Sequence, residues 1–133
     1  MVSMDSPILR GESSSATVCA MNCWTMTYWM LADDGETPIP TTDVLRWGAW
    51  FQTADRVVRQ DFWAGQPVQT GVTTVFLGLD HDFLCTGRPV LWESLVYGTS
   101  LDGQITRYRS RADALAGHAS LLAAVTAQLK VDR

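Results

Sequence analysis

The sequence has little charge, and little positive charge in particular. Charged residues make up 18% of its 133 residues, and ten Lys and Arg oppose fourteen Asp and Glu, which gives a net charge of −4. The basic residues form no run, so the chain lacks an extended phosphate-neutralising surface, and we do not expect nucleic acid as its main partner. A protein partner or a small anionic ligand, held by a local cluster of Arg side chains, is the expectation instead.

Cysteine is also scarce. Cys19, Cys23 and Cys85 are an odd set, and the C-x3-C pair has no second pair of ligands downstream, which argues against a zinc site. Buried thiols in a reducing cytoplasm are the simplest interpretation. The N-terminus has no charged segment leading into an apolar run, as a signal peptide would, and no stretch approaches the length of a membrane span. We therefore expect a cytoplasmic protein that binds no membrane.

Complete catalytic motifs are missing as well. The sequence contains no G-x-S-x-G, no G-x-G-x-x-G, no H-E-x-x-H and no P-loop. We predict no catalytic residue and no cofactor from motifs, and a non-enzymatic protein is favoured over an enzyme.

Apolar residues, in contrast, are plentiful. They make up 47% of a chain whose length suits one domain with one core. Six of them are Trp, which is a high number for this length. A Trp-rich core is the first interpretation, and an aromatic contact surface is the alternative, because Trp is enriched at binding hot spots. The candidates for such a surface are Trp29, Trp50, Trp63 and Trp92.

The apolar spacing predicts two helices. Apolar residues from Val44 to Val58 recur at helical intervals and indicate an amphipathic helix of about five turns, capped by Thr41 or Thr42. Ser110 opens an S-x-x-D cap, and the last helix follows it. His118 lies on the apolar face of that helix, where a histidine more often packs at the edge of the core, bonded to backbone, than binds a ligand.

Alternating apolar residues predict the strands. A short aromatic strand covers residues 27–31, and further strands cover residues 68–79, 90–97 and 104–109. The predicted fold is a two-layer α+β domain, with an antiparallel three- to four-stranded meander sheet and two amphipathic helices on one face. Residues 1–25, which include the polar run GESSSAT, are predicted to be a flexible or atypical extension, and residues 26–133 the single domain.

Residues 73–98 are the most informative stretch, because they read as a hairpin that carries reactive side chains. A hairpin symmetric about Gly87 places His81 opposite Glu93, at about 5 Å. The following hairpin is predicted to place Arg109 opposite Glu93 as well. A carboxylate on a mainly apolar face needs such partners, because an unpaired buried charge is costly.

Two interpretations of this cluster stay open. It is either an ionic network that fixes the register of the hairpin or an anchor for a small ligand. A weaker hypothesis adds His118 from the last helix and makes His81, Glu93 and His118 a divalent-metal set, the basis of a small metal-dependent hydrolase. Asp80 falls on the opposite face of the strand from His81. The members of the cluster are Asp80, His81, Glu93, Arg107 and Arg109.

Three sequence blocks resemble a known group of proteins. The run VFLGLDHDF, followed by PVLWESLVYG and ITRYRSRADALAGH, resembles a family of small uncharacterised proteins encoded mainly by tailed bacteriophages and prophages. Members of that family typically carry a W-x-x-WF helix, then STVFLGLDH, PLLFETMVFGG and RYSTWEEAxAGH. The helix motif is matched by WGAWF at residues 47–51, and Glu93 falls at the family's glutamate. The turn LCTGR and the segment RSRADA depart from the Gly-rich turn and the acidic segment of the family.

The resemblance implies an origin rather than an activity. It covers residues 26–124 and implies a small accessory protein made in the cytoplasm of a bacterial host during infection or lysogeny. We therefore expect a non-enzymatic protein that binds a host or phage component, with antagonism of a bacterial defence system as one use. The alternatives are the metal-dependent hydrolase and a virion or assembly component.

Overall fold

The computed structural model describes residues 28–131 and confirms an α+β fold. Cys19, Cys23 and the predicted extension over residues 1–25 lie outside the described residues. The described chain contains six strands and two helices. Their bounds are β1 Tyr28–Leu31, β2 Pro38–Thr41, α1 Val44–Thr53, β3 Val57–Trp63, β4 Thr70–Phe76, β5 Trp92–Tyr97, β6 Ile105–Tyr108 and α2 Arg111–Val131.

The strands form two antiparallel sheets. The main sheet has four strands in the order β3-β4-β5-β6, which is a meander, and β1 pairs with β2 in a separate two-stranded sheet. The predicted strands near residues 27–31, 68–79, 90–97 and 104–109 are all present, with shorter bounds. Alternation marked β4, β5 and β6 because each of them has one face on the core.

The last helix packs on one face of the main sheet, whereas the first packs chiefly on β1 and reaches the same face through Trp50. Alternate side chains of β4 and β5, Val72 and Val96 among them, meet Leu121 and Val125 of α2 in one apolar cluster. A second cluster joins Phe76 and Trp92 to Ala114 of α2, and the side chain of Trp50 in α1 packs against it. Each fully buried large apolar side chain contributes about 1.5–3 kcal/mol, so this face carries most of the hydrophobic stabilisation.

The opposite face of the main sheet is covered by no helix or strand within residues 28–131. Val57, Phe62 and Ile105 are about half exposed there, and Leu95 and Tyr97 are partly exposed between them. The rings of Phe62 and Tyr97 lie 6.1 Å apart and cover part of the surface. This face, which we name the open face, thus exposes several apolar side chains to solvent.

The first helix is shorter than its apolar spacing predicts. It ends at Thr53, and Val57 begins the edge strand β3, although the apolar spacing predicted that the helix continues through Val58. Two adjacent β-branched residues, Val57 and Val58, continue the helical spacing by coincidence but favour an extended backbone. The N-cap is Asp43, whose carboxylate accepts from Arg46 N at 3.0 Å, and not Thr41 or Thr42.

The last helix begins as its sequence predicts. Ser110 Oγ accepts from the backbone N–H of Asp113 at 3.0 Å, which is the N-cap bond expected from S-x-x-D. The helix is 21 residues long, and by length and composition alone it is apolar enough to cross a membrane, contrary to our expectation of no such stretch. Its residues Ala114, Leu121 and Val125 are buried against the sheet.

Candidate functional site

The predicted pairing of His81 with Glu93 is not formed. In the sheet, Val75 is the partner of Glu93, and regular pairing of β4 with β5 ends at Phe76. The chain then turns at Gly78, which has a φ of +78°, a conformation that favours glycine. The Gly78 carbonyl accepts from the backbone N–H of Trp29, so β1 draws this segment away from β5.

His81 therefore lies in the loop between β4 and β5 rather than in a strand. Its Nδ1 is 2.9 Å from the backbone carbonyl of Leu79, and its backbone N–H donates to Val90 at 2.9 Å. Its ring packs 5.2 Å from the ring of Phe83. These contacts give His81 a local structural role.

Glu93 pairs with Arg107, which lies directly opposite on β6, and not with Arg109. Arg107 Nε donates to Glu93 Oε2 at 2.9 Å, on the open face. The Arg107 side chain is nearly half exposed, so solvent screens the pair, and pairs of this kind contribute at most about 1 kcal/mol. Glu93 is thereby satisfied without the predicted imidazole.

The remaining predicted residues, Asp80 and Arg109, belong to a hydrogen-bonded loop that is centred on Asp82. Asp80 Oδ1 accepts from the backbone N–H groups of Asp82 at 2.8 Å and Val90 at 3.0 Å, which ties the two ends of the loop together. Arg109 reaches in from the end of β6 and donates to Asp82 Oδ2 at 3.2 Å. Arg109 also donates to the carbonyl of Arg88.

Asp82 is the main acceptor inside this loop. Its side chain is only 5% exposed, and it accepts from the Thr86 hydroxyl at 2.9 Å and from the Gly87 backbone N–H at 3.0 Å. Burial by itself raises the pKa of Asp82, but the bonds from Thr86 and Gly87 and the charge of Arg109 outweigh it, so the pKa lies below its ordinary value. The carboxylate is therefore stabilised in its ionised form.

The loop that Asp82 holds carries an apolar tip. Phe83 is 60% exposed and Leu84 is 82% exposed, and both lie between the two hydrogen-bonded ends of the loop. Cys85 follows them with a φ of +52°, a strained conformation for a non-glycine residue. The hydrogen bonds of the flanking residues thus hold an exposed apolar pair at the tip of an ordered loop.

A second polar cluster lies beneath α2 and was not predicted. His118 is 0% exposed and bridges the sheet: its Nδ1 is 2.7 Å from Thr74 Oγ1 and its Nε2 is 2.8 Å from Asp61 Oδ2. Thr74 and Ser94, which are opposite each other on β4 and β5, share a short hydrogen bond. Tyr108 is the last member of this hydrogen-bonded series, and its hydroxyl donates to Ser94 Oγ at 3.0 Å.

One assignment of donors and acceptors satisfies every hydrogen bond in this series of side chains. The bond from His118 lowers the pKa of Asp61, so its carboxylate can only accept, and Nε2 of His118 is the donor. With Nδ1 accepting, Thr74 donates to His118 and Ser94 donates to Thr74, so Thr74 and Ser94 each donate once and accept once, while Tyr108 donates to Ser94. We name this set, Asp61, His118, Thr74, Ser94 and Tyr108, the buried relay.

The carboxylate, imidazole and hydroxyl follow the same order as in a hydrolase triad. A substrate, however, has no access to the hydroxyl groups. Thr74 and Ser94 are both 0% exposed, so a substrate carbonyl cannot approach either oxygen. Close packing seals the site, because a Cβ at Gly117 of α2 would overlap the ring of Tyr108. The buried relay is therefore suited to fixing α2 on the sheet.

The proposed metal set is not assembled. Glu93 lies on the open face and His118 on the covered face, while His81 is in the loop. Within residues 28–131, no group of three His, Cys, Asp or Glu side chains is placed to hold a metal ion.

The Trp candidates for a contact surface are largely core residues. Trp92 is 3% exposed, and Trp29, Trp50 and Trp63 are partly buried against the two apolar clusters. The Trp-rich core is thus the better interpretation of the composition. Exposed aromatic surface comes instead from Phe62 and Phe83.

Comparison with known proteins adds no assignment. No family model, no curated protein and no solved structure matches this chain.

Proposed function

We propose that this protein is a non-enzymatic accessory protein, of phage or prophage origin, that acts in a bacterial host by binding another protein. The observation that carries the proposal is the apolar tip of the β4–β5 loop, Phe83 and Leu84, presented on a hydrogen-bonded support. The resemblance of the sequence to phage and prophage proteins supports the origin. Antagonism of a bacterial defence system is one use of such binding.

The hydrogen bonds that hold the β4–β5 loop matter because ordering a loop during association costs free energy. Side-chain and loop ordering at an interface costs about 0.5–1.5 kcal/mol for each immobilised side chain. In this loop Asp80 and Asp82 accept four hydrogen bonds from within the loop, and Arg109 adds bonds to Asp82 and Thr86. Most of the ordering has therefore taken place in the free protein.

The exposed side chains of the tip indicate what kind of partner surface it fits. Adjacent exposed Phe and Leu side chains fit an apolar pocket, as interface hot spots do. Arg88 is exposed on the same loop, and Arg109 is partly exposed at its base, while Asp82 is buried. A partner with an apolar pocket and an acidic rim would match this arrangement.

Affinity purification from bacterial cells that carry the phage or prophage tests the proposal. We expect the tagged full-length chain to retain one host or phage protein, identified by mass spectrometry, and the variant F83S/L84S to lose it. The control is V44S/L45S, which removes an adjacent apolar pair of similar exposure, 48% and 84%, at the start of α1. Equal retention of the partner by both variants would overturn the proposal.

A virion or assembly component is a different outcome of the same work. If the protein is a structural part of the particle, mass spectrometry of purified particles will detect it in a fixed ratio to the capsid protein. The proposal instead expects it to be absent from purified particles and present in the lysate of infected cells.

A hydrolase is the second candidate, and the triad-like order of the buried relay is the observation that favours it. It requires α2 to move off the sheet and expose Ser94 or Thr74. Incubation of the native protein with a fluorophosphonate probe decides the point. Labelling that disappears in S94A or T74V would support the hydrolase, and an unlabelled folded protein is the result that our proposal predicts.

A further inference from the structure

The outer edge of β3 is an unpaired strand with a self-complementary charge pattern. The main sheet begins with β3, and within the described part of the chain no strand pairs with the edge that faces away from β4. β3 is seven residues long, whereas the other edge strand, β6, has four. A long free edge exposes a row of backbone N–H and C=O groups that can pair with another strand.

Charged residues on β3 alternate in sign at a spacing of two. Arg59 and Asp61 project from the same face of the strand, with the uncharged Gln60 between them on the other face. Arg59 Nε donates to Asp61 Oδ2 at 3.0 Å, and both side chains are more than a third exposed. Charges on an edge strand usually repel a second copy, but Arg59 and Asp61 have opposite signs and can attract the same two residues of a second copy.

We infer that two copies of this chain associate through β3, antiparallel and centred on Gln60, to form one continuous eight-stranded sheet. In that register each Arg59 lies opposite Asp61 of the second copy, so two ion pairs form across the two-fold axis. Opposite charges directly across antiparallel strands stabilise their pairing, whereas like charges destabilise it. Any other antiparallel register loses both of these contacts.

The ion pair between the two copies needs an oxygen of Asp61 that can accept from Arg59 of the second copy. Asp61 Oδ2 already receives Arg59 and His118 of its own chain, and no hydrogen bond within residues 28–131 involves Oδ1. A guanidinium can therefore reach Oδ1 without disturbing the buried relay. The axis is perpendicular to the sheet, so both copies of α2 lie on the same side and the open faces become one surface.

This association uses a different surface from the Phe83–Leu84 tip and is independent of the proposed function. Sedimentation velocity of the full-length protein, from low micromolar to submillimolar concentration, measures it. We expect a reversible monomer–dimer equilibrium. Both Arg59→Glu, which faces Asp61 of the second copy, and Gln60→Lys, which brings two ammonium groups together at the axis, should raise the dissociation constant by roughly tenfold or more.

Gln52→Lys is the matched control, because it adds the same charge at an exposed position of α1 and should leave the equilibrium unchanged. Circular dichroism confirms that each variant is folded. A wild-type chain that stays monomeric at every concentration overturns the inference. A dimer that persists in both β3 variants overturns it too, and if such a dimer is lost in Ile105→Asp, the open face is the interface instead.

Discussion

The two polar clusters of this protein contain similar groups and have opposite surroundings. The buried relay joins a carboxylate, an imidazole and three hydroxyls under α2, where His118, Thr74 and Ser94 have no exposed surface. The Asp82 loop joins carboxylates, a guanidinium and a hydroxyl at the surface, and it carries an exposed Phe83 and Leu84. A polar network alone does not indicate function, and what the network presents to solvent is the better guide.

The comparison also separates stability from binding. His118, Thr74 and Ser94 of the buried relay have no exposed surface and cannot find water when a partner is lost, so their removal costs free energy of folding. Groups in the Asp82 loop hold a segment that contributes little to the core, so their removal alters the tip more than the fold. We therefore expect a larger loss of stability from variants of the buried relay than from variants of the Asp82 loop.

The largest expected effect is that of His118→Ala on stability. The change removes the ring nitrogen that accepts from Thr74 Oγ1, leaves Asp61 without its His118 donor and creates a cavity, so the free energy of unfolding should fall by about 3–4 kcal/mol. Urea unfolding followed by circular dichroism measures it. His118→Gln keeps one amide in the relay and should recover part of the loss. A loss below about 1 kcal/mol for His118→Ala would contradict a structural role for the relay.

The next effect concerns binding. F83S/L84S removes both apolar side chains of the tip, and truncation of a single hot-spot residue costs about 2 kcal/mol, so the affinity for the captured partner should fall at least about thirtyfold even if only one of the two is a hot spot. The thermal midpoint should stay within about 2 °C of wild type, because both side chains are mostly exposed. Titration calorimetry and a thermal melt check the two halves of this prediction.

Asp82→Asn should have a smaller effect with a distinct pH dependence. The folded pKa of Asp82 lies below the ordinary value of 3.8, so its ionised form stabilises the fold above that value, and the contribution is lost as the pH falls through the lowered pKa. At neutral pH the variant should melt roughly 5 °C lower than wild type. Below about pH 4 the difference should shrink, and a difference that grows on acidification would contradict this account.

The smallest effect should be that of Glu93→Gln. The Glu93–Arg107 pair is screened by solvent, so the free energy of unfolding should change by less than about 1 kcal/mol, and partner binding should be unaffected. Equilibrium unfolding and the same titration calorimetry measure both. A variant that folds but no longer binds would make Glu93 part of the contact and would extend the functional surface onto the open face.

Much of the fold could be predicted because its signals are local. Alternation marked β4, β5 and β6, and the Ser110 cap marked the start of α2. The edge strand β3 was missed because Val57 and Val58 prolong the apolar spacing of α1, while the pairing that makes them a strand comes from β4. Such pairing is non-local and leaves little trace in a short segment.

The candidate site was harder to predict than the fold. The expected pairing of His81 with Glu93 assumed a continuous hairpin, and the turn at Gly78, fixed by contacts with β1, displaced one residue from the other. The buried relay joins residues as many as 57 positions apart, so no spacing rule could have found it. A usable signal was the pair of hydroxyls, Thr74 and Ser94, on core-facing positions of otherwise apolar strands.

The affinity of the captured partner for two matched variants tests the central claim most directly. F83S/L84S and V44S/L45S remove adjacent apolar pairs of similar exposure from the loop tip and from the start of α1. Our account predicts that binding measured by titration calorimetry is lost in the first variant and retained in the second, with both proteins folded. Wild-type affinity in F83S/L84S would contradict it.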